Sequence, residues 1–218
     1  EQENREDLGP WDVPYLSAHV RDAQFGINRD SYANFLSLGT LMEMLSRIFG
    51  RLYGVQLVHQ GTVPGEVWDP DVYKLIVVNE KSGSILGTIY CDFHARPNKV
   101  AGDCHFTVRC AKALSPARPT ATTENRTDRQ TDERTDEGFQ SSTVVLCLHL
   151  RGRRGIEASG GRVLLSPNQA ENLFHEMGHA MHSMLGRTRY QHVAGTRVGT
   201  DLAEIPSHLM EKILRCPE

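Results

Sequence analysis

The chain has 218 residues, 39% of them hydrophobic and 23% charged, enough to bury a real core as one large domain or two small ones. Its formal charge of -3 excludes a broad electrostatic attraction to nucleic acid or to an acidic membrane surface. No apolar run approaches the roughly 18 residues that a bilayer span requires, so a soluble protein with neither a nucleic-acid nor a membrane partner is expected.

Residues 9–15, Gly-Pro-Trp-Asp-Val-Pro-Tyr, are too proline-broken for a helix, and a helix is expected only over 17–25. From Ser31 onward, Leu38, Leu41, Met42, Leu45, Ile48, Phe49 and Leu52 follow helical steps, predicting an amphipathic helix that ends near Gly54. Residues 72–78 and 85–93 are β-branched and aromatic, and Asn79 to Ser84 between them supplies turn residues. A β-hairpin follows. Residues 105–109 and 143–148 look like further strands, giving a small mixed sheet whose open edge could hold an extended peptide.

Between Ala111 and Glu137 the composition shifts to Pro, Thr, Asp, Glu and Arg in a degenerate four-residue repeat. Nine of the fourteen residues from 124 to 137 are charged and none follows an apolar period, so a disordered excursion is expected. Five cysteines, at 91, 104, 110, 147 and 216, include no Cys-x-x-Cys pair. They predict reduced thiols in an intracellular or organellar compartment.

The segment Leu165-Ser166-Pro167-Asn168-Gln169 offers an N-cap serine, proline at the first helical position and glutamine at the third, the pattern of a capping box. Gly186 is placed to end that helix. Projected at 100° per residue, Leu173, Phe174, Met177, Ala180, Met181, Met184 and Leu185 fill one sector, and Glu171, His175, His179 and His182 the opposite one. His175 and His179 stand four residues apart on one face with Glu176 between them, and Glu204 follows 25 residues after His179. Two imidazoles and a distant carboxylate form a zinc donor set, and Glu176 beside them is placed to take a proton from a polarised water. Glu204 has a second reading, because Asp201-Leu202-Ala203-Glu204 is also the pattern of a capping box.

At this point the chain resembles the thimet-oligopeptidase-like zinc peptidases. The likeness runs through Pro10-Trp11-Asp12-Val13-Pro14-Tyr15, Gly65-Glu66-Val67-Trp68, Ile89-Tyr90-Cys91-Asp92-Phe93 and Asp103-Cys104-His105-Phe106-Thr107, and resumes at Val144-Val145-Leu146. The run from Glu171 to His182, with Gly195-Thr196, Asp201 and Glu204-Ile205-Pro206-Ser207, looks like the family's catalytic signature. The resemblance implies an α+β, mainly helical, zincin-like catalytic domain with a small mixed sheet, incomplete in this chain. Residues 1–110 and 138–218 would be two parts of that domain, separated by a low-complexity insertion over 111–137. It further implies zinc ligation by His175, His179 and Glu204, and general-base catalysis by Glu176. Asp201, a turn before Glu204, either orients a ligating imidazole or caps a helix, and His182 is a neighbour of the site rather than a donor.

The implied function is zinc-dependent endopeptidase action on short peptides or unfolded presequence segments. The closest likeness is to the family's mitochondrial members, which implies protein processing in the mitochondrial matrix, with a cytosolic oligopeptidase as the alternative. Two departures qualify the implication. Unrelated repeat-like sequence replaces a shorter family segment over 111–137, and the chain ends before the His and Tyr groups that stabilise the oxyanion in this family. A noncatalytic zinc-binding fragment is therefore the competing expectation, with the apolar faces of the 31–54 helix and the metal helix left uncovered.

Overall fold

Residues 8–26, 35–114, 138–151 and 161–216 are described in the computed structural model. Their core forms where the predicted helical stripes meet a sheet. Helix α1 spans Asp12–Phe25, α2 Leu38–Tyr53 and α3 Pro167–Leu185; the short α4, Thr200–Ala203, leads into α5, Ile205–Arg215. The strands are β1 Val55–Gln60, β2 Tyr73–Asn79, β3 Ile85–His94, β4 Cys104–Arg109, β5 Lys112–Ala113, β6 Phe139–Gln140 and β7 Ser142–Leu150.

Five strands form one sheet in the order β1-β2-β3-β7-β4, and β5 and β6 pair separately. The β3–β7 pair is parallel and the other neighbours are antiparallel, so the sheet is mixed. It is larger than the sequence predicts, because β1 was not expected. Only Val55 of that strand is buried, which leaves little alternation to detect. With helices and sheet sharing the core, the architecture is α+β.

Two helix boundaries follow local chemistry. Ser37 Oγ accepts from Thr40 N at the start of α2, and Gly54 ends it in the left-handed conformation. Leu38, Leu41, Leu45 and Phe49 are buried, as the periodicity requires. Helix α1 corrects the proline-broken reading of residues 9–15. Pro14 lies in its first turn, where no intrahelical hydrogen bond needs the missing N–H.

The expected hairpin is present, with β2 and β3 antiparallel. Chain on both sides of the low-complexity segment enters one sheet: β7 lies between β3 and β4. Lys112–Ala113 and Phe139–Gln140 pair as β5 and β6, so the ordered chain extends past the predicted start of the excursion. The rest of the predicted excursion, 115–137, lies outside the described residues.

Helix α3 packs on β7, β4 and β3, and Leu173, Phe174, Met177 and Met184 join Ile89, Leu146 and Leu148 in the core. Gly87 permits the approach, since a Cβ there would collide with Met184 Sδ of α3. The apolar faces of α2 and α3 are thus covered within the chain, contrary to the uncovered faces expected of a fragment. Large exposed apolar side chains include Trp11, Val13, Tyr15, Val20 and Phe25 on and beside α1, Leu52 on α2, and Ile205 and Leu209 on α5. The five cysteines are free.

Candidate metal centre

The site is built where α3 crosses α5. Helix α3 starts with the predicted capping box, Ser166 Oγ accepting from Gln169 N and Ser166 N donating to Gln169 Oε1. Its inner face is anchored in the core, so the opposite face carries His175 and His179 outward at fixed spacing. Gly178, between them, allows the second helix in. A Cβ there would lie 2.6 Å from Ser207 Cα and 2.7 Å from Pro206 O, closer than side-chain atoms ever sit.

Glu204 stands at the joint between α4 and α5, with φ -83° and ψ -11°. Pro206 has no N–H to continue the hydrogen-bond ladder, which breaks the helix here while Glu204 keeps a helical conformation. The predicted capping box from Asp201 to Glu204 is absent: the N-cap of α4 is Gly199, with no side-chain cap. Glu204 is aimed at the histidines instead.

Glu204 Oε2 lies 3.4 Å from His175 Nε2 and 3.3 Å from His179 Nε2, and the two Nε2 atoms are 3.1 Å apart. Ligands about 2.0–2.1 Å from a tetrahedral ion stand about 3.3 Å from one another, so this triangle has the edge lengths that such an ion requires. Ser207 Oγ, 2.9 Å from Glu204 Oε2 and 2.8 Å from Glu204 O, holds the carboxylate in place. Burial works to raise the Glu204 pKa, but the Ser207 hydrogen bond and the imidazoles outweigh it and leave the carboxyl below its usual value.

Glu176 differs. Its side chain is buried, and Oε2 has no hydrogen-bond partner among the described residues. Burial pushes its pKa from 4.5 up to about 7, with His175 opposing and Asp103 and Glu204 assisting. A carboxyl poised near neutrality beside three converging donors suits proton transfer. Burial also lowers the pKa of His179, which favours the neutral imidazole with one ring nitrogen's lone pair available.

Strand β4, the outer strand beside β7, frames the other side. Asp103 Oδ1 accepts from His149 N and Oδ2 from Asn172 Nδ2, both at 2.8 Å, tying this edge to α3. His105 on β4 lies 3.1 Å from Ser183 Oγ through Nε2, and its ring centroid is 6.0 Å from that of His179. Burial depresses its pKa to about 4, so it is a neutral neighbour.

Two further groups escaped sequence reasoning. Glu211 Oε1 accepts from His175 Nδ1 at 2.5 Å, and Glu211 Oε2 accepts from His208 Nδ1 at 3.2 Å. Asp201, expected either to orient an imidazole or to cap a helix, accepts from Leu202 N and meets no imidazole among the described residues. Glu211, not Asp201, is the carboxylate that meets His175 Nδ1. The signal was present in the spacing, because Glu204, His208 and Glu211 recur at i, i+4 and i+7 on one helical face. His182 lines a small cavity with Phe49, Tyr53 and Met210 and is not among the converging donors.

The model of peptidase family M3 matches residues 1–218. The chain belongs to peptidase family M3. Within it, the chain is 48% identical over 206 residues to the mitochondrial intermediate peptidase of Rattus norvegicus and 46% identical over 206 residues to that of Homo sapiens. Each alignment covers 94% of this chain and 25% of the relative. The protein of the same name from Aspergillus oryzae is 43% identical over an alignment of 222 positions that covers 96% of this chain and 28% of the relative. The chain therefore spans about a quarter of the length of these family M3 relatives.

Proposed function

We propose that this chain carries the zinc-binding core of a zincin-like metalloendopeptidase that cleaves short peptides or presequence segments. The observation that carries the reading is the triangle of His175 Nε2, His179 Nε2 and Glu204 Oε2, with sides of 3.1 to 3.4 Å. Two imidazoles and a carboxylate are a donor set for zinc at a catalytic site, where a fourth position stays open. When bound, zinc would supply Lewis acidity to a scissile carbonyl and to a water.

The chain's own residues do the rest. Glu176, buried and raised toward neutrality, takes the proton released by the attacking water and returns it to the departing amine. Ser207 keeps Glu204 oriented, and β4 offers unpaired main-chain groups on its outer side for an extended substrate. Residues 1–110 and 138–218 act as two parts of one catalytic domain, with 111–137 inserted between them. The likeness to mitochondrial intermediate peptidases supports a place in the mitochondrial matrix and a role in presequence processing. The partners are then peptides, and nucleic acid and membrane are not among them. Among the described residues no helix is long and apolar enough to cross a membrane.

Coverage of a quarter of the relatives' length favours a second reading, a metal-binding piece whose turnover depends on residues outside it. One experiment separates the two. Zinc content by elemental analysis is measured beside cleavage of a quenched peptide, for the unaltered chain and for Glu176→Gln. The enzyme reading expects stoichiometric zinc in both and cleavage only in the unaltered chain. Stoichiometric zinc in both with cleavage in neither leaves the second reading standing.

A further inference from the structure

The two histidines of the triangle are supported unequally. His179 Nδ1 is buried with no hydrogen-bond partner among the described residues, whereas His175 Nδ1 donates to Glu211 Oε1 at 2.5 Å. Glu211 in turn takes His208 Nδ1 on its other oxygen at 3.2 Å, and the His175 and His208 rings meet edge to face with centroids 5.4 Å apart. The side chains of Glu211 and His175 are only 17% and 21% exposed, so water competes weakly for this contact.

A neutral imidazole carries one proton. When Nδ1 holds it against a carboxylate, Nε2 presents its lone pair, here toward His179 Nε2 and Glu204 Oε2. The contact also fixes the ring plane, which α3 alone leaves free to turn about χ2. We propose that Glu211 is a positioning residue of the metal centre, holding His175 in the Nδ1–H tautomer and in the ring orientation that directs Nε2 into the triangle, with His208 bracing the carboxylate from its outer side.

This inference rests on the reading of His175, His179 and Glu204 as a metal site. It competes with two others: Glu211 as a mere tie between α3 and α5, or Glu211 as a ligand of a separate ion with His175 and His208, whose donor atoms lie within 4.8 Å of one another. Zinc titration of the purified chain against a chromophoric chelator, at a temperature where the metal-free protein is folded, distinguishes them. Glu211→Ala is expected to weaken binding of the first equivalent roughly 10- to 100-fold. Glu211→Gln, whose amide oxygen still accepts from Nδ1, should weaken it about 3- to 10-fold, and His208→Ala less than Glu211→Ala. The visible absorption of the cobalt(II)-loaded chain should change in Glu211→Ala, a signature that loss of an interhelical tie alone does not produce.

First-equivalent affinities within about twofold of the unaltered chain overturn the inference, as does selective loss of a second equivalent. Should Glu211→Ala not fold, Glu211→Gln decides by the same criterion. His175→Ala is the control on the underlying reading. If it leaves zinc uptake unchanged, both the metal site and the inference fail; if it abolishes uptake while Glu211 variants bind normally, only the inference fails.

Discussion

Glu176 shows how much one residue owes to its surroundings. Its neighbours His175 and His179 turn outward, but its own carboxyl is buried with one oxygen unpartnered, so its charged form is disfavoured in the metal-free protein. Because its folded pKa is raised from 4.5 to about 7, its contribution to stability is present below about pH 4.5 and is lost as pH rises through about 7. Denaturant midpoints of the metal-free chain should therefore fall between pH 5 and pH 8, and Glu176→Gln, which carries no charge at any pH, should flatten that fall. An unchanged slope in Glu176→Gln would place the pH dependence elsewhere. The spacing of His175, Glu176 and His179 was legible in the sequence. The unequal burial of Glu176 and Glu204 was not, because it depends on which helix lies over each.

Between elements, the decisive contact is the crossing of α3 and α5 at Gly178. No side chain fits between Gly178 and the Pro206–Ser207 backbone, and the same backbone carries Glu204 into the triangle. Gly178→Ala should force the helices apart, costing about 1–3 kcal/mol by overpacking and lowering zinc affinity as Glu204 is drawn away. A thermal melt and a chelator competition read the two effects. Full affinity with unchanged stability would mean that the crossing yields at no cost. From sequence alone, Gly178 is a helix-weakening residue without a reason; the reason is a backbone 28 residues further along. Glu211 was missed for a related cause, since the i+7 spacing on α5 has no meaning until α5 lies against His175.

Across the whole molecule, helices cover one side of the sheet and a polar network closes the ends of β3 and β7. Asp92 is 3% exposed and accepts from Trp68 Nε1 and from Arg96, while Lys99 Nζ donates to the Asp92, His94 and Leu148 carbonyls and lies 3.0 Å from Asp92 Oδ1. Burial works to raise the Asp92 pKa, but the bonds from Arg96, Trp68 and Lys99 prevail and lower it to about 2. Its contribution to stability is thus present above about pH 4 and lost as pH falls through about 2. Lys99→Met leaves the carboxylate its bonds from Arg96 and Trp68 but takes a shared donor from three carbonyls, and should cost about 1–3 kcal/mol in chemical denaturation at pH 7. A cost below about 1 kcal/mol would show that the network is relieved by water.

Local chemistry is sufficient for α3, whose capping box and apolar stripe place it from Pro167 to Leu185 without reference to any distant contact. It is likewise sufficient for the β2–β3 hairpin and for the pairing of His175 with His179 on one face, because each depends on residues within a few positions of one another. Whether Glu204 caps a helix or joins the histidines, that β7 enters between β3 and β4, and that Glu211 rather than Asp201 meets His175 were decided by tertiary packing. Sequence distance hides such contacts. They exist only because burial of the α3 stripe against the sheet leaves its polar face free, and the absence of a side chain at Gly178 draws α5 across that face.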